Sequence, residues 1–580
     1  MEYPTLYVKE KSRQMSDAFL GYNHNLRIGE SEFYDMKNMT SDYYPVLSPR
    51  KNRGDSGINA NSLIAKDKLC WVSGKAFVID HESVPMELSD GPKDLVSMGA
   101  YVIIMPDKKW INTIKNADGE YEWGSIDETF NSTGRINFSM CDISGVEFEN
   151  VSEDQPNDPQ NGDLWFDVEN PEVLKKYSSA NKIWVTVDSY IKIETSNIAD
   201  NFNVGDTVKF FGIFDGDNTK TLYGCNKDKH YILVKGVFFD PGGEGSNSIG
   251  GPITVTRKMP DLDFITECNN RLWGCRYGTN DDGEVVNEIY ASKLGDFKNW
   301  NCFAGISTDS YRASCGSDGP FTGAIAHLGY PLFFKENGLH KVYGDYPANF
   351  GIQYTPCRGV QKGSHKSLAV VGETLFYKSS NAVCAYDGSL PVEMSSALGN
   401  INYYNAVAGA HGNKYYINMA DSMNNGTYHL FIYDAAKGMW HKEDNIQVDA
   451  FCSYMDELYA IDHKSKFIIT MLGSGEVDTV PVSWMVETGL LGMSMPDMKY
   501  ISKLMIRMSL EVGASVEVSI QYDSIGDWEQ VCKMTVTSLR SFSIPVRPRR
   551  CDHFRIRIEG AGQGKIYSIT KTIEQGSDIS

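Results

Sequence analysis

Long apolar runs and paired cysteines are missing from this sequence. No stretch approaches the roughly 18 consecutive apolar residues of a membrane-spanning helix, so we expect no membrane insertion. The first residues, MEYPTLYVKEKSRQ, contain no apolar core of a secretory signal. The 12 cysteines are scattered without any C-x-x-C pair, and most lie in apolar segments. This pattern predicts buried, reduced thiols and synthesis in a reducing cytoplasm.

Basic charge is scarce, with 55 Lys and Arg against 75 Asp and Glu and a formal net charge of −20. Long-range electrostatics would therefore repel a phosphate backbone rather than attract it. This excludes a general DNA-binding surface. Where DNA passes close by, an acidic wall favours sliding, so we expect contact with passing DNA without specific binding.

Motifs that carry catalysis or bind metals are also missing. The P-loop, the H-E-x-x-H zinc motif and the G-x-S-x-G nucleophile elbow are absent. The 11 histidines are dispersed, with no i, i+4 pair and no His/Cys cluster at zinc spacing. The S-x-D-x-G-x-x-W turn of sialidase propellers has one near match, DSIGDWEQV at 523–531, which fails the spacing. We therefore expect no enzyme, and no catalytic, cofactor-binding or metal-binding residues.

The sequence is rich in one repeated phrase, a turn followed by an apolar strand, a polar turn and a second apolar strand. Segments such as GYPLFFKENG, GETLFYKSS, GNKYYINMA and MDELYAID align on Leu332, Leu375, Tyr415 and Leu458. Their spacing of about 40 residues, with several short strands per period, is typical of β-propeller blades. The repeat predicts an all-β chain built on a β-propeller of about six or seven blades.

Interruptions of the repeat divide the chain into five parts. Residues 1–56 form an N-terminal arm, 57–140 the first blades, and 261–490 the remaining blades. Between the two groups of blades, residues 141–260 are rich in Asn, Asp, Gly and Pro, which predicts an inserted small β module. Residues 499–580 alternate strictly, as in KLMIRMSLEV and SVEVSIQYD, which predicts a C-terminal antiparallel β-sandwich.

The N-terminal arm has many aromatic residues but little strand periodicity. Such a segment is expected to gain order by lying on another surface, either its own propeller or a neighbouring subunit. In the second case its candidate assembly contacts are Phe33, Tyr34, Tyr43 and Tyr44.

A basic cluster near the end of the chain, RPRRCDHFRIRI, contrasts with the acidic remainder. Arg547, Arg549 and Arg550 are therefore candidate assembly contacts for an acidic face of a neighbouring copy. The alternative, which we favour, is a solvated strand edge whose charges discourage sheet-to-sheet aggregation.

Three segments carry a resemblance to a known family: GESEFYDMKNMTSDYYPVLSPR near the start, NEIYASKLGDFKNWNCF at 287–303, and RPRRCDHFRIRI. They resemble virion proteins of tailed bacteriophages of gut Firmicutes, known as stabilisation proteins, and the architecture is similar to tail nozzle or hub propellers. The resemblance implies a six-fold ring of copies below the portal and adaptor, around the DNA exit channel. Its implied partners are further copies of the chain and the portal, adaptor and other tail proteins. Its implied location is the virion tail, after synthesis in the host bacterial cytoplasm.

Two main functions follow. The first is a structural component of a phage tail or neck, a ring that retains and later releases packaged DNA. The second is a tail-tip adhesin or glycan-binding or glycan-cleaving propeller, in which Trp165 and Trp184 of the insertion form an exposed sugar-stacking platform. A cytoplasmic propeller scaffold without a phage role is a third.

Overall fold

The computed structural model describes residues 10–169, 172–213, 218–237, 246–249, 252–280, 283–474, 480–535 and 538–576, and the regular secondary structure in these ranges is nearly all β-strand. Tight turns join the strands. Asn269 and Asn270 join two strands with φ of 52° and 59°, and Gly412, with φ of 55°, begins another two-residue turn. Positive φ at these positions matches the twist of the flanking strands. The all-β prediction is confirmed.

Seven of the four-stranded antiparallel sheets in the described ranges form the blades of a β-propeller. They are blade 1 (Ser62–Ala65, Leu69–Ser73, Ala76–Ile79, Glu82–Val84), blade 2 (Asp94–Met98, Tyr101–Met105, Lys109–Lys115, Tyr121–Ser125), blade 3 (Phe264–Cys268, Arg271–Thr279, Val285–Ala291, Tyr311–Ser314), blade 4 (Gly323–His327, Tyr330–Lys335, Gly338–Tyr343, Gly351–Pro356), blade 5 (Ala369–Val371, Thr374–Lys378, Val383–Tyr386, Val392–Glu393), blade 6 (Tyr403–His411, Lys414–Asp421, Tyr428–Asp434, Met439–Lys442) and blade 7 (Val448–Tyr454, Glu457–Asp462, Phe467–Thr470, Gly54–Asn59). Short 3-10 turns lie at Pro347–Asn349, His365–Ser367 and Ser396–Leu398.

Neighbouring blades pack face to face through separate apolar clusters. Leu332 and Phe334 of blade 4, for example, meet Leu375 and Tyr377 of blade 5, and all four side chains are fully or almost fully buried. Comparable clusters join blades 1 and 2, 2 and 3, 3 and 4, 6 and 7, and 7 and 1. The ring therefore consists of radial layers, each of which depends on its two neighbours.

The ring is closed by a strand from the N-terminal arm. Gly54–Asn59 forms the outermost strand of blade 7 and pairs antiparallel with Phe467–Thr470. The first and last parts of the propeller sequence are thus joined by backbone hydrogen bonds. This closure was not predicted, because GDSGIN has no apolar alternation of its own.

A cluster of buried ion pairs holds the closing strand in place. Arg53 contacts Glu443 at 2.6 Å and Asp444 at 2.8 Å, and Arg50 lies 3.4 Å from Glu443. Burial alone would raise the pKa of Asp444, but the guanidinium groups of Arg53 and Arg50 lower it below its usual value. The carboxylates at the end of blade 6 therefore anchor the chain just before it enters blade 7.

The main sheet of the insertion, between blades 2 and 3, has eight strands. In spatial order they are Glu128–Asn131, Thr254–Arg257, Thr207–Phe211, Thr219–Asn226, Tyr231–Lys235, Tyr190–Glu194, Ile136–Cys141 and Ser246–Ile249. Its inward side chains, among them Ile193, Phe202 and Phe210, share one core. The insertion begins earlier than the predicted residue 141, because Glu128–Asn131 pairs with Thr254–Arg257 at its other end.

The C-terminal domain is a sandwich of two antiparallel sheets, to which the arm contributes strands. One sheet contains Lys11–Ser16, Gly564–Gln575, Lys499–Leu510 and Arg540–Ile544, and the other contains Phe33–Lys37, Ser483–Thr488, Phe554–Ala561, Ser515–Tyr522 and Glu529–Met534. A two-strand pair, Met39–Thr40 with Ser48–Pro49, follows in the arm. The predicted boundaries at 490 and 499 differ from the structure, since Ser483–Thr488 already belongs to the sandwich.

The arm lies on its own chain, but two of its strands pair with the sandwich, whereas the predicted alternative to a neighbouring subunit was its own propeller. Its strand Lys11–Ser16 pairs with Gly564–Gln575, and Phe33–Lys37 pairs with Ser483–Thr488. Residues 1–9 of the arm lie outside the described ranges. One continuous core joins the arm, blades 5 and 6 and the sandwich.

The cysteines match the prediction of reduced thiols: all 12 are free, and eight of them are buried. Burial raises the pKa of Cys70 to about 12. In the part of the chain that the structure describes, no helix is long and apolar enough to span a membrane.

Replacing Arg53 with Ala is expected to destabilise the closure by about 3–5 kcal/mol, because it leaves two largely buried carboxylates without their main partner. The measurement is the urea midpoint followed by intrinsic fluorescence. Lys68→Ala, which removes an exposed ion pair with Asp80, is the matched control and should leave the midpoint unchanged. Equal midpoints for both variants would contradict the role of the cluster.

Stability is expected to fall on acidification below neutral pH, before the carboxylates titrate. Burial, together with nearby lysines, lowers the pKa of His441 to about 3 and that of His340 to about 4. These histidines bind protons near pH 6.5 in the unfolded chain but stay neutral at that pH in the folded chain. Each histidine therefore lowers the free energy of unfolding by roughly 2 kcal/mol at pH 5. His441→Gln should flatten the dependence of the urea midpoint on pH between 7 and 5 relative to the unmodified chain, and an unchanged slope would contradict this assignment.

Candidate functional site

A small four-stranded sheet is nested in the insertion, between strands Ile136–Cys141 and Tyr190–Glu194. We call it the aromatic sheet; its strands are Val151–Ser152, Leu164–Asp167, Val173–Ser178 and Ile183–Val187. The first pair is parallel and the others are antiparallel. Since side chains alternate along a strand, residues directly opposite each other share a face.

Three aromatic rings meet on one face of this sheet. The register places Trp165 opposite Lys175 and Tyr177 opposite Trp184. The ring centroids of Trp165 and Trp184 are 5.6 Å apart with an interplanar angle of 69°, and those of Tyr177 and Trp184 are 5.3 Å apart at 58°. We call these three residues the aromatic corner.

The aromatic corner differs in two ways from the flat, exposed platform that was expected of Trp165 and Trp184. The rings stand at steep angles to one another, and both indoles are half-buried rather than fully exposed. The reason is cross-strand packing, because edge-to-face contact between neighbouring aromatic rings is favourable. Tyr177, which the sequence did not single out, supplies the third ring.

Polar groups fix the corner and line it. The indole Nε1 of Trp165 donates to the backbone carbonyl of Glu153 at 3.2 Å. The ammonium of Lys175 lies 5.0 Å from the Trp165 ring centroid and bonds to Asp167. The hydrogen bond from Lys175 lowers the pKa of Asp167, so this carboxylate stays ionised. The face thus combines apolar rings with one ammonium and one carboxylate.

A cavity of about 280 Å³ lies on the propeller axis, among the first strands of the blades. Polar side chains at its wall include Asp94, His365 and Lys366, with His365 Nε2 4.0 Å from Asp94 Oδ1. Burial lowers the pKa of His365, which favours the neutral imidazole. Among the described residues that line this cavity, Asp94 is the one carboxylate.

The predicted aromatic assembly contacts of the arm differ in burial, from the core to the surface. Phe33 is 2% exposed and lies in the shared core, 5.7 Å from the Phe19 ring, so its side chain is not on the surface. Tyr34 is half-buried between His24 and the guanidinium of Arg555. Tyr43 and Tyr44 remain accessible, at 44% and 41% exposure.

The predicted basic contacts lie on the surface of the sandwich. Arg547, Arg549 and Arg550 are exposed, in the segment between strands Arg540–Ile544 and Phe554–Ala561. Arg549 forms an ion pair with Glu529 at 2.5 Å. The cluster is therefore accessible, and at least part of its charge is balanced within the chain.

Sequence reasoning missed a basic cavity between the insertion and blade 3, whose walls include Arg276 and Arg312. These residues are far apart in the sequence and form no recognisable motif; only the strand register brings them to one face. In the described ranges no group of three or more His, Cys, Asp or Glu side chains is arranged to hold a metal ion.

Comparison with known proteins gives distant matches only. No protein-family model matches the chain, and no curated protein does. Among solved structures, an exo-β-1,3-galactanase from Phanerochaete chrysosporium matches at 8% identity and a TM-score of 0.19, covering 53% of this chain and 94% of that one. A Trypanosoma rangeli sialidase matches at 9% identity and a TM-score of 0.18, covering 79% and 93%.

A third match is the extracellular domain of a putative hybrid two-component system from B. thetaiotaomicron, at 8% identity and a TM-score of 0.18, covering 93% and 99%. The expectation that this chain is no enzyme is corrected by the first two matches, which are enzymes. Similarity at this level transfers no reaction to the chain, and the propeller assignment rests on its own sheets.

Proposed function

We propose that the protein is a glycan-binding β-propeller protein of the adhesin type, which contacts sugar chains through the aromatic corner. The observation that carries the proposal is the meeting of Trp165, Tyr177 and Trp184 on one face of the nested sheet, with centroids 5.3 to 5.6 Å apart. Aromatic rings offer rigid apolar faces to the C–H faces of sugars and lose little conformational entropy when they bind.

Polar neighbours of the corner support the same proposal. Sugar hydroxyls need hydrogen-bond partners beside the stacking surface, and charged partners form stronger hydrogen bonds than neutral ones. Lys175 can donate from the face that carries the rings, and Asp167, which is 4% exposed, fixes its ammonium. The proposal concerns binding, because the rings and Lys175 offer contacts to a sugar.

The test is a glycan array that carries bacterial wall polysaccharides and chitotetraose, probed with the full chain. Trp165→Ala and Trp184→Ala should each weaken binding roughly tenfold or more, about 1.4 kcal/mol, because each removes one stacking surface. Trp184→Phe keeps an aromatic ring and should retain part of the affinity. This variant distinguishes loss of the stacking surface from loss of the fold.

Trp528→Ala is the matched control, since Trp528 is also half-buried and packed against a cation, Arg557 at 4.1 Å, but lies in the sandwich. It should bind as the unmodified chain does. Absence of binding to every glycan on the array, or equal binding by all variants, would refute the proposal.

We infer as a second candidate that copies of the chain form a ring in a phage tail, as a nozzle around the DNA exit channel. The observation that favours it is the exposed basic surface of Arg547, Arg549 and Arg550 on a chain of net charge −20. Complementary charge on different faces of one molecule supports head-to-tail contacts, which close into rings. Portal and adaptor proteins would be its neighbours, and passing DNA would meet a mainly acidic chain.

Mass photometry of the full chain at low and high salt tests this candidate. A ring is expected at low salt, and the triple variant Arg547→Glu, Arg549→Glu, Arg550→Glu should reduce assembly at least tenfold through like-charge repulsion. Arg358→Glu, at an exposed ion pair in the propeller, should leave assembly intact. A chain that stays monomeric at micromolar concentration in low salt would count against the ring.

A further inference from the structure

A cavity of about 250 Å³ lies where the insertion meets the outer part of blade 3. Its walls come from strands Thr207–Phe211 and Thr254–Arg257 on one side and from the second, third and fourth strands of blade 3 on the other. Among the described residues, four cationic side chains and one carboxylate, Asp261, line it; the cations are Lys209, Lys258, Arg276 and Arg312. Arg276 and Arg312 also form ion pairs, with Asp263 and Glu288, but the charged groups that face the cavity are mainly cationic.

The two arginines are placed by the strand register of blade 3. Arg276 pairs with Glu288, and Tyr290 pairs with Arg312, so that all four side chains project from one face of the blade. Glu288 accepts from Arg312 Nε at 3.0 Å and from the Tyr290 hydroxyl. One carboxylate thus fixes the orientation of a guanidinium whose terminal nitrogens make no hydrogen bond to a residue that the structure describes.

Hydrogen bonds also fix the guanidinium of Arg276. Its Nη1 donates to Asp263 at 2.9 Å and its Nη2 to the carbonyl of Thr279 at 2.9 Å. Its Nε is buried and lacks a hydrogen-bond partner among the described residues. Because this Nε is itself buried, a ligand in the cavity can contact only the accessible parts of the Arg276 side chain and the more exposed guanidinium of Arg312.

The other walls are suited to a hydroxylated ring. Phe211 is 43% exposed and offers an apolar face, with the Lys209 ammonium 5.3 Å from its ring centroid. Hydroxyl and amide groups line the rest of the cavity and belong to Thr207, Thr219, Thr256, Asn280 and Asn301. A cavity of this size accommodates one sugar ring but not an extended chain.

We propose that this cavity binds a monosaccharide-sized anion, a sugar that carries a carboxylate or a phosphate. Guanidinium groups present fixed donor pairs that match the oxygen pairs of both anions. Lys258, which is exposed at the mouth and has no ion pair with a described residue, adds attraction over a longer range. Phe211 contacts the sugar ring, and the threonine and asparagine side chains bind its hydroxyls. This site is separate from the aromatic corner, and its test does not depend on that corner.

The test is isothermal titration of the full chain with D-glucuronate, glucose 6-phosphate, D-glucose and inorganic phosphate at low salt. At least one of the two charged sugars should bind at least tenfold more tightly than glucose, and high salt should weaken its binding. Arg312→Gln should weaken it at least tenfold, and Lys258→Gln should weaken it less. Arg358→Gln, at a distant exposed ion pair, should change nothing.

Trp184→Ala should leave binding of the charged sugar unchanged, which separates this site from the aromatic corner. Three results would overturn the proposal: glucose binding as tightly as both charged sugars, Arg312→Gln and Lys258→Gln both binding like the unmodified chain, or inorganic phosphate binding as tightly as glucose 6-phosphate. The last result would indicate an anion site without sugar recognition.

Discussion

Closure of the propeller by Gly54–Asn59 is the interaction on which the rest of the structure depends. A ring of blades is stable only when its first and last layers are joined, and here the join consists of one strand held by Arg50 and Arg53 against Glu443 and Asp444. The arm that supplies this strand also completes both sheets of the sandwich. Ring closure and sandwich assembly are therefore coupled, and the core they share makes the propeller and the sandwich one unit.

The insertion stands apart from this coupled unit. It leaves the ring after blade 2, returns before blade 3, and has its own core. The aromatic sheet is nested one level further, inside the insertion. The aromatic sheet is an insertion within an insertion, so it can vary without disturbing the propeller. Recognition surfaces commonly lie on such inserted segments. In this chain the aromatic corner lies on the nested sheet and the basic cavity lies where the insertion meets the ring.

The sequence predicts the repeated part of the fold well, because each blade carries its own turns and apolar strands. It predicts contributions from distant segments poorly. GDSGIN becomes a strand only because Phe467–Thr470 offers it an edge, and the aromatic Phe33 is buried by strands that lie far along the chain. Trp165 and Trp184 could be singled out as residue types, but their angle is set by cross-strand packing. Arg276 and Arg312 could not be singled out, since their meeting depends on register and on docking of the insertion.

The central claim is that the aromatic sheet is the surface through which the protein recognises glycans. Hydrogen–deuterium exchange of the full chain, with and without the tightest-binding glycan of the array, tests it most directly. The account predicts slower exchange in Leu164–Asp167, Val173–Ser178 and Ile183–Val187, with the blades unchanged. Protection confined to the axial cavity around Asp94 and His365, with the aromatic sheet unaffected, would contradict it.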